Sequence, residues 1–182
     1  MSAKPKLLIV EDDEGLSSQY RWAFMSCEIL LSRTREKAVA PARQERPPVA
    51  IMDLGLPPDP HGVSEGLATL EEVSRISPRT RVIIVTCHDA GRVASRALNL
   101  GAYDFCEKPV GIDVLRSIVD RALGPDWPNG NNHRLDTAML NVRHYVEQRA
   151  MARMPALMLN KSGARGGPAA VARETHKNAV HL

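Results

Sequence analysis

Short apolar runs alternate along the first 123 residues with stretches whose apolar residues recur every three or four positions. Leu7-Leu8-Ile9-Val10 stops abruptly at Glu11-Asp12-Asp13, and Val49 to Met52 stops at Asp53. Runs of this kind predict strands buried on both faces. Further strands are expected at Glu28 to Ser32, Arg81 to Val85 and Tyr103 to Cys106. Between them, Leu16, Tyr20, Ala23, Phe24 and Cys27 recur at helical spacing. Thr34 is placed to N-cap a second helix through about Arg46, with Lys37 and Arg43 outward. Pro41 falls in the middle of that helix, where it is expected to kink or shorten it. A third helix is expected from about Ser64 to Ile76, with Leu67, Leu70 and Val73 on its buried face. A fourth runs from Ala90 to Leu100 and stops at Gly101, a C′ glycine. The fifth carries Ile112, Leu115, Ile118, Val119 and Leu123. Five strand–helix units in succession predict an α/β domain, a parallel sheet with helices on both faces. Ligands of such sheets bind at the carboxyl ends of the strands.

Composition narrows the class without naming a chemistry. The 182 residues suffice for one well-cored domain and an appendage. The longest apolar runs, such as Val82 to Val85, are too short to cross a bilayer, so no membrane partner is expected. The first ten residues lack a signal-peptide pattern. Cys27, Cys87 and Cys106 are scattered and form no Cys-x-x-Cys pair, which speaks against a zinc site or a disulfide framework. A cytoplasmic location is the natural expectation. Residues 1–123 carry a net charge of −1 and residues 124–182 a net of +4 with four of the six histidines. The excess of positive charge therefore belongs to the tail.

The residues at the strand ends carry the chemistry. Strand one ends in Glu11-Asp12-Asp13, strand three in Asp53 and strand four in Thr86, and strand five is followed by Lys108-Pro109. A parallel sheet brings all of them to one edge. Carboxylates converging there repel one another unless a cation intervenes, and hard oxygen ligands suit Mg²⁺. A hydroxyl and an ammonium beside them suit a phosphoryl group. The set describes phosphoryl transfer to an aspartate nucleophile, assisted by a metal.

These segments, in this order, resemble the receiver domain of two-component response regulators over residues 4–123. LLIVEDDEG resembles that family's first strand and acid cluster, IMDLGLP its phosphoacceptor segment, IIVTCHD its switch-threonine segment and GAYDFCEKP its lysine–proline segment. The resemblance implies a flavodoxin-like, doubly wound five-stranded parallel sheet of order 2-1-3-4-5. It implies that Glu11 and Asp12 bind Mg²⁺ directly or through water, and that Asp53 is both phosphoacceptor and metal ligand. Gly55 supplies a backbone carbonyl to the metal, Thr86 the switch hydroxyl and Lys108 the phosphate-binding cation. Phe105 matches the switch aromatic, and the Lys108–Pro109 bond is expected to be cis. Asp13 is given no ligand role. The implied function is a switch. A sensor histidine kinase phosphorylates Asp53, and the face formed by helix four, strand five and helix five responds and offers a homodimer surface. Catalysis is limited to the protein's own phosphorylation and dephosphorylation.

The loop LGLPPDPHGVSEGLATLEE is longer than the usual receiver loop and resembles that of response regulators linked to PEP-CTERM/exosortase systems. Those proteins join the receiver to a sigma-54-dependent ATPase and a helix-turn-helix. No G-x-x-x-x-G-K-[ST] occurs in this sequence, so no such ATPase is expected. Residues 124–134 read as a linker, and 135–182 as a basic tail that is disordered or partly helical. Three readings of the tail stay open: disorder, a degenerate helix-turn-helix around Ala169 to Glu174, and a partner-binding helix from Leu135 to about Met158. The helix-turn-helix reading makes the chain a DNA-binding transcription regulator, so nucleic acid stays open as a partner. A phosphatase-type hydrolase would need a second aspartate two residues after the nucleophile, and position 55 is glycine.

Overall fold

The computed structural model describes residues 3–88 and 90–124, with the side chains of residues 90–92 left aside. The linker from 125 onward and every reading of the tail lie outside the described residues. The elements run β1 (Lys6–Val10), α1 (Glu14–Ala23), β2 (Glu28–Ser32), α2 (Arg35–Glu45) and β3 (Val49–Met52). They continue with α3 (Ser64–Ile76), β4 (Arg81–Thr86), α4 (Ala90–Asn99), β5 (Asp104–Glu107) and α5 (Ile112–Leu123). All pairings are parallel, in the order β2-β1-β3-β4-β5, which is the doubly wound sheet expected. Among the described residues, no helix is long and apolar enough to cross a membrane.

Strand side chains alternate between faces, so one sheet supports two cores. Leu8, Val10, Ala50, Met52, Val82, Ile84 and Phe105 pack with Ala38 and Ala42 of α2, Leu67, Leu70 and Val73 of α3, and Ala94 and Ala97 of α4. Their strand neighbours Leu7, Ile9, Val49, Ile51, Ile83 and Val85 pack on the opposite face with Tyr20 and Phe24 and with Leu115, Ile118 and Val119 of α5. The helical periodicity read through Cys27 overshoots α1, which ends at Ala23. The amide of Phe24 caps the helix on Tyr20, and a turn then buries Cys27 in the same core. Strand β5 lies one residue later than expected because Glu107 pairs with Thr86. Residues up to Ala102 are held by the end of α4. Gly101, with φ 104°, donates to Leu98, and Ala102 donates to Ala97. This is a Schellman termination, and its left-handed residue is the predicted glycine.

Pro41 neither ends nor shortens α2, which runs eleven residues across it. A proline leaves the carbonyl four residues earlier without its amide donor. That carbonyl belongs to Lys37, and the buried hydroxyl of Ser32, at the end of β2, donates to it at 2.7 Å. The strand thus replaces the missing intrahelical bond, while the fully buried Ala38 and Ala42 hold one face of the helix against the sheet.

Candidate functional site

The sheet continues as hydrogen bonds just past its carboxyl edge. The Asp53 amide donates to the Val10 carbonyl at 2.9 Å, the Glu11 amide to Ser32 at 3.0 Å and the Lys108 amide to Thr86 at 2.9 Å. These bonds hold the residues that follow β1, β3 and β5 in one plane. The local sequence favours the arrangement, because the apolar runs must stay in the core and their flanking acids therefore start the loops.

Lys108 lies at the centre of the cluster. Its Nζ donates to Asp53 Oδ2 at 2.6 Å and to Glu11 Oε2 at 2.8 Å. Burial works against its charge, but the hydrogen bonds and charges of Asp53 and Glu11 outweigh it and raise its pKa, so the ammonium stays protonated. Glu11 is only 2% exposed, and burial pushes its carboxyl above the usual range against the opposing pull of Lys108. The other carboxylate oxygen of Asp53, Oδ1, accepts from the amides of Leu54 at 2.6 Å and Gly55 at 3.2 Å. Two amides and an ammonium therefore fix the orientation of this side chain.

Carboxylate oxygens of Glu11, Asp12 and Asp53 lie within 4.8 Å of one another. Three ionised carboxylates and one ammonium leave a net charge of −2, and all the donor atoms are hard oxygens. The set fits a divalent cation of the Mg²⁺ type. Asp13 takes a different role: its Oδ1 accepts from the Leu16 amide at 2.7 Å as the N-cap of α1.

Gly55 is required by space. A Cβ at that position would sit 2.6 Å from the Pro60 carbonyl oxygen and 3.3 Å from His88 Cε1. Thr86 is fully buried at the end of β4, and its Oγ1 lies 3.0 Å from His88 Nδ1. Phe105 is buried in the core shared with α4. The peptide bond between Lys108 and Pro109 is cis, as is that between Pro57 and Pro58. The structure thus brings Glu11, Asp12, Asp53, Gly55, Thr86 and Lys108 to one edge, with Phe105 beneath it. Sequence reasoning missed His88. It lies within the quoted segment IIVTCHD, but nothing in the local pattern separates a histidine two residues past a strand from any loop residue.

The model of the response regulator receiver domain matches residues 7–120. The regulatory protein AtoC of Escherichia coli is 26% identical over 98% of this chain and 41% of its own length. The transcriptional regulatory protein ZraR of the same organism is 28% identical over 64% of this chain and 26% of its own. The chain thus spans less than half the length of these relatives. A CheY-like receiver domain protein from Methanospirillum hungatei superposes with a TM-score of 0.59 at 27% identity, covering 66% of this chain and 94% of the other. A family match over most of the chain, the parallel 2-1-3-4-5 sheet and the acid–lysine cluster at its carboxyl edge lead to one conclusion: this chain belongs to the response regulator receiver domain family.

Proposed function

We propose that Asp53 accepts a phosphoryl group from the phosphohistidine of a sensor kinase, and that the observation carrying this reading is the double clamp on Asp53. Lys108 and the Leu54 and Gly55 amides hold the carboxylate in place, at an edge where two further acids converge. In the transfer a carboxylate oxygen of Asp53 bonds to phosphorus as the phosphorus–nitrogen bond breaks, and the leaving imidazole retains a proton. Glu11, Asp12, Asp53 and the Gly55 carbonyl would hold Mg²⁺, which neutralises charge on the phosphoryl oxygens when bound. Lys108 supplies a fixed positive charge to the same oxygens, and the Thr86 hydroxyl is a hydrogen-bond donor to them. The new charge draws Thr86 toward the phosphoryl group and shifts the Phe105 face between α4, β5 and α5, through which two copies pair.

Incubation with Mg²⁺ and acetyl phosphate is expected to add one phosphoryl group to the protein, and Asp53→Ala to abolish the addition. Labelling of undiminished extent in the variant would overturn the assignment. A second reading, a transcription regulator whose tail contacts DNA, is favoured by the likeness to transcriptional regulatory proteins such as ZraR and by the +4 charge of residues 124–182. It requires duplex binding that disappears when residues 124–182 are removed and that weakens steeply with salt.

A further inference from the structure

The Thr86 hydroxyl is tied to the long loop between β3 and α3 through His88. His88 Nε2 lies 3.0 Å from the carbonyl oxygen of His61, and His88 Nδ1 lies 3.0 Å from Thr86 Oγ1. A carbonyl only accepts, so Nε2 carries the proton. In the tautomer with its proton on Nε2, Nδ1 is an acceptor and the Thr86 hydroxyl donates to it. The His88 amide makes a long 3.5 Å contact back to Thr86 Oγ1, consistent with that polarity. The ring also packs over Gly55, as its Cε1 stands 3.3 Å from where a Cβ would lie. At its other end the chain of bonds meets a braced turn. The Asp59 amide donates to Leu56, the Gly62 amide to Asp59, and the Ser64 hydroxyl to the Asp59 carboxylate at 2.6 Å. A pull on the His61 carbonyl therefore acts on the turn as a unit.

We propose that His88 is a positioning residue that commits the Thr86 hydroxyl to the β3–α3 loop until a phosphoryl group competes for it, so that phosphorylation releases this loop as well as altering the α4-β5-α5 face. This rests on the reading of Asp53 as phosphoacceptor. The competition is decided by charge. The bond from Thr86 to His88 ends on a ring nitrogen acceptor, whereas a bond from Thr86 to a phosphoryl oxygen ends on an anion and is charge-assisted and stronger. Once Thr86 turns, Nδ1 loses its donor, and the ring is no longer fixed against His61.

Two conservative variants separate the two arms of the latch. His88→Asn places an amide oxygen near the Nδ1 position but lacks the reach to His61. His88→Gln places an amide N–H near the Nε2 position but offers Thr86 no equivalent acceptor. The measurement is amide hydrogen exchange of the full chain over residues 56–63, with Mg²⁺ and with or without beryllofluoride as phosphoryl mimic. In the unmodified protein, beryllofluoride is expected to speed exchange of this segment about three- to tenfold, the range spanned by one net hydrogen bond. In His88→Asn the segment exchanges fast with or without the mimic. In His88→Gln, where nothing ties the side chain to Thr86, the segment also exchanges fast in both states, but here the beryllofluoride midpoint falls about threefold or more because Thr86 has no competing acceptor. If the unmodified protein binds no beryllofluoride at Asp53, the phosphoacceptor reading fails. If it binds and the loop of the unmodified protein does not respond, or the loop still responds in either variant, the His88 latch alone is refuted.

Discussion

The interior of the sheet and its carboxyl edge are built from adjacent residues but obey opposite rules. In the interior, Leu7 to Val10 and Val49 to Met52 are at most 1% exposed, and almost every contact is apolar. One residue further on, Glu11 and Asp53 are nearly as buried, yet carry charges held in place by Lys108. The interior lowers free energy by removing apolar surface from water. The edge keeps charges in a place where each is costly unless partnered. Stability and chemistry are therefore separated by a single residue along each strand, and perturbing the two regions should have different consequences.

The largest expected loss of stability is in the interior. Ile51→Ala on the central strand should cost about 2–5 kcal/mol in unfolding free energy, through lost burial and a cavity. Mg²⁺ should restore none of that loss beyond what it adds to the unmodified protein. Lys108→Ala should cost about 3 kcal/mol without metal, because Glu11 and Asp53 are left facing each other without a counter-charge. Here Mg²⁺ should recover more stability than it adds to the unmodified protein, because a bound cation replaces the lost charge. Urea unfolding with and without Mg²⁺ tests both. Equal Mg²⁺ increments in the two variants would erase the distinction between the regions.

Asp12→Ala should weaken Mg²⁺ binding about tenfold, roughly 1.4 kcal/mol, by calorimetric titration. Its metal-free melting temperature should hold or rise, since one of three converging carboxylates is gone. A fall in metal-free stability would show the edge behaving like the interior. The smallest effect is expected at α2. Ser32→Ala should cost about 1 kcal/mol by leaving the Lys37 carbonyl without its donor. In a Pro41→Ala background, where residue 41 regains its amide, the same change should cost less. A double-mutant cycle that finds the two substitutions additive would remove the strand–helix compensation from the account.

How much was legible in the sequence follows from how local each signal is. Strands β2 and β3 and helix α3 were readable to their ends, because their apolar patterns stop at charged or turn residues. Helix α1 was read too long because Phe24 and Cys27 continue its period after its hydrogen bonds have ended, and both still bury in the core. Pro41 was read as a break because proline chemistry within the helix says so; the hydroxyl that offsets it comes from the neighbouring strand. At the site, the acids, Thr86 and Lys108 stood out by their positions after strands, and their roles came from resemblance to the receiver family. His88 had neither signal.

The sequence by itself determined that five apolar runs would form a buried parallel sheet and that acids would follow two of them. Periodicity and abrupt polar stops are properties of consecutive residues, and burial acts on them wherever the sheet closes. Only the tertiary structure decided which atoms meet. Lys108 reaches Glu11 across 97 residues of sequence and Asp53 across 55, and His88 reaches the His61 carbonyl across 27. Those bonds depend on strand register and loop path, set by the packing of the whole domain. Hydrogen bonds are short and directional, so no pattern within one segment specifies them.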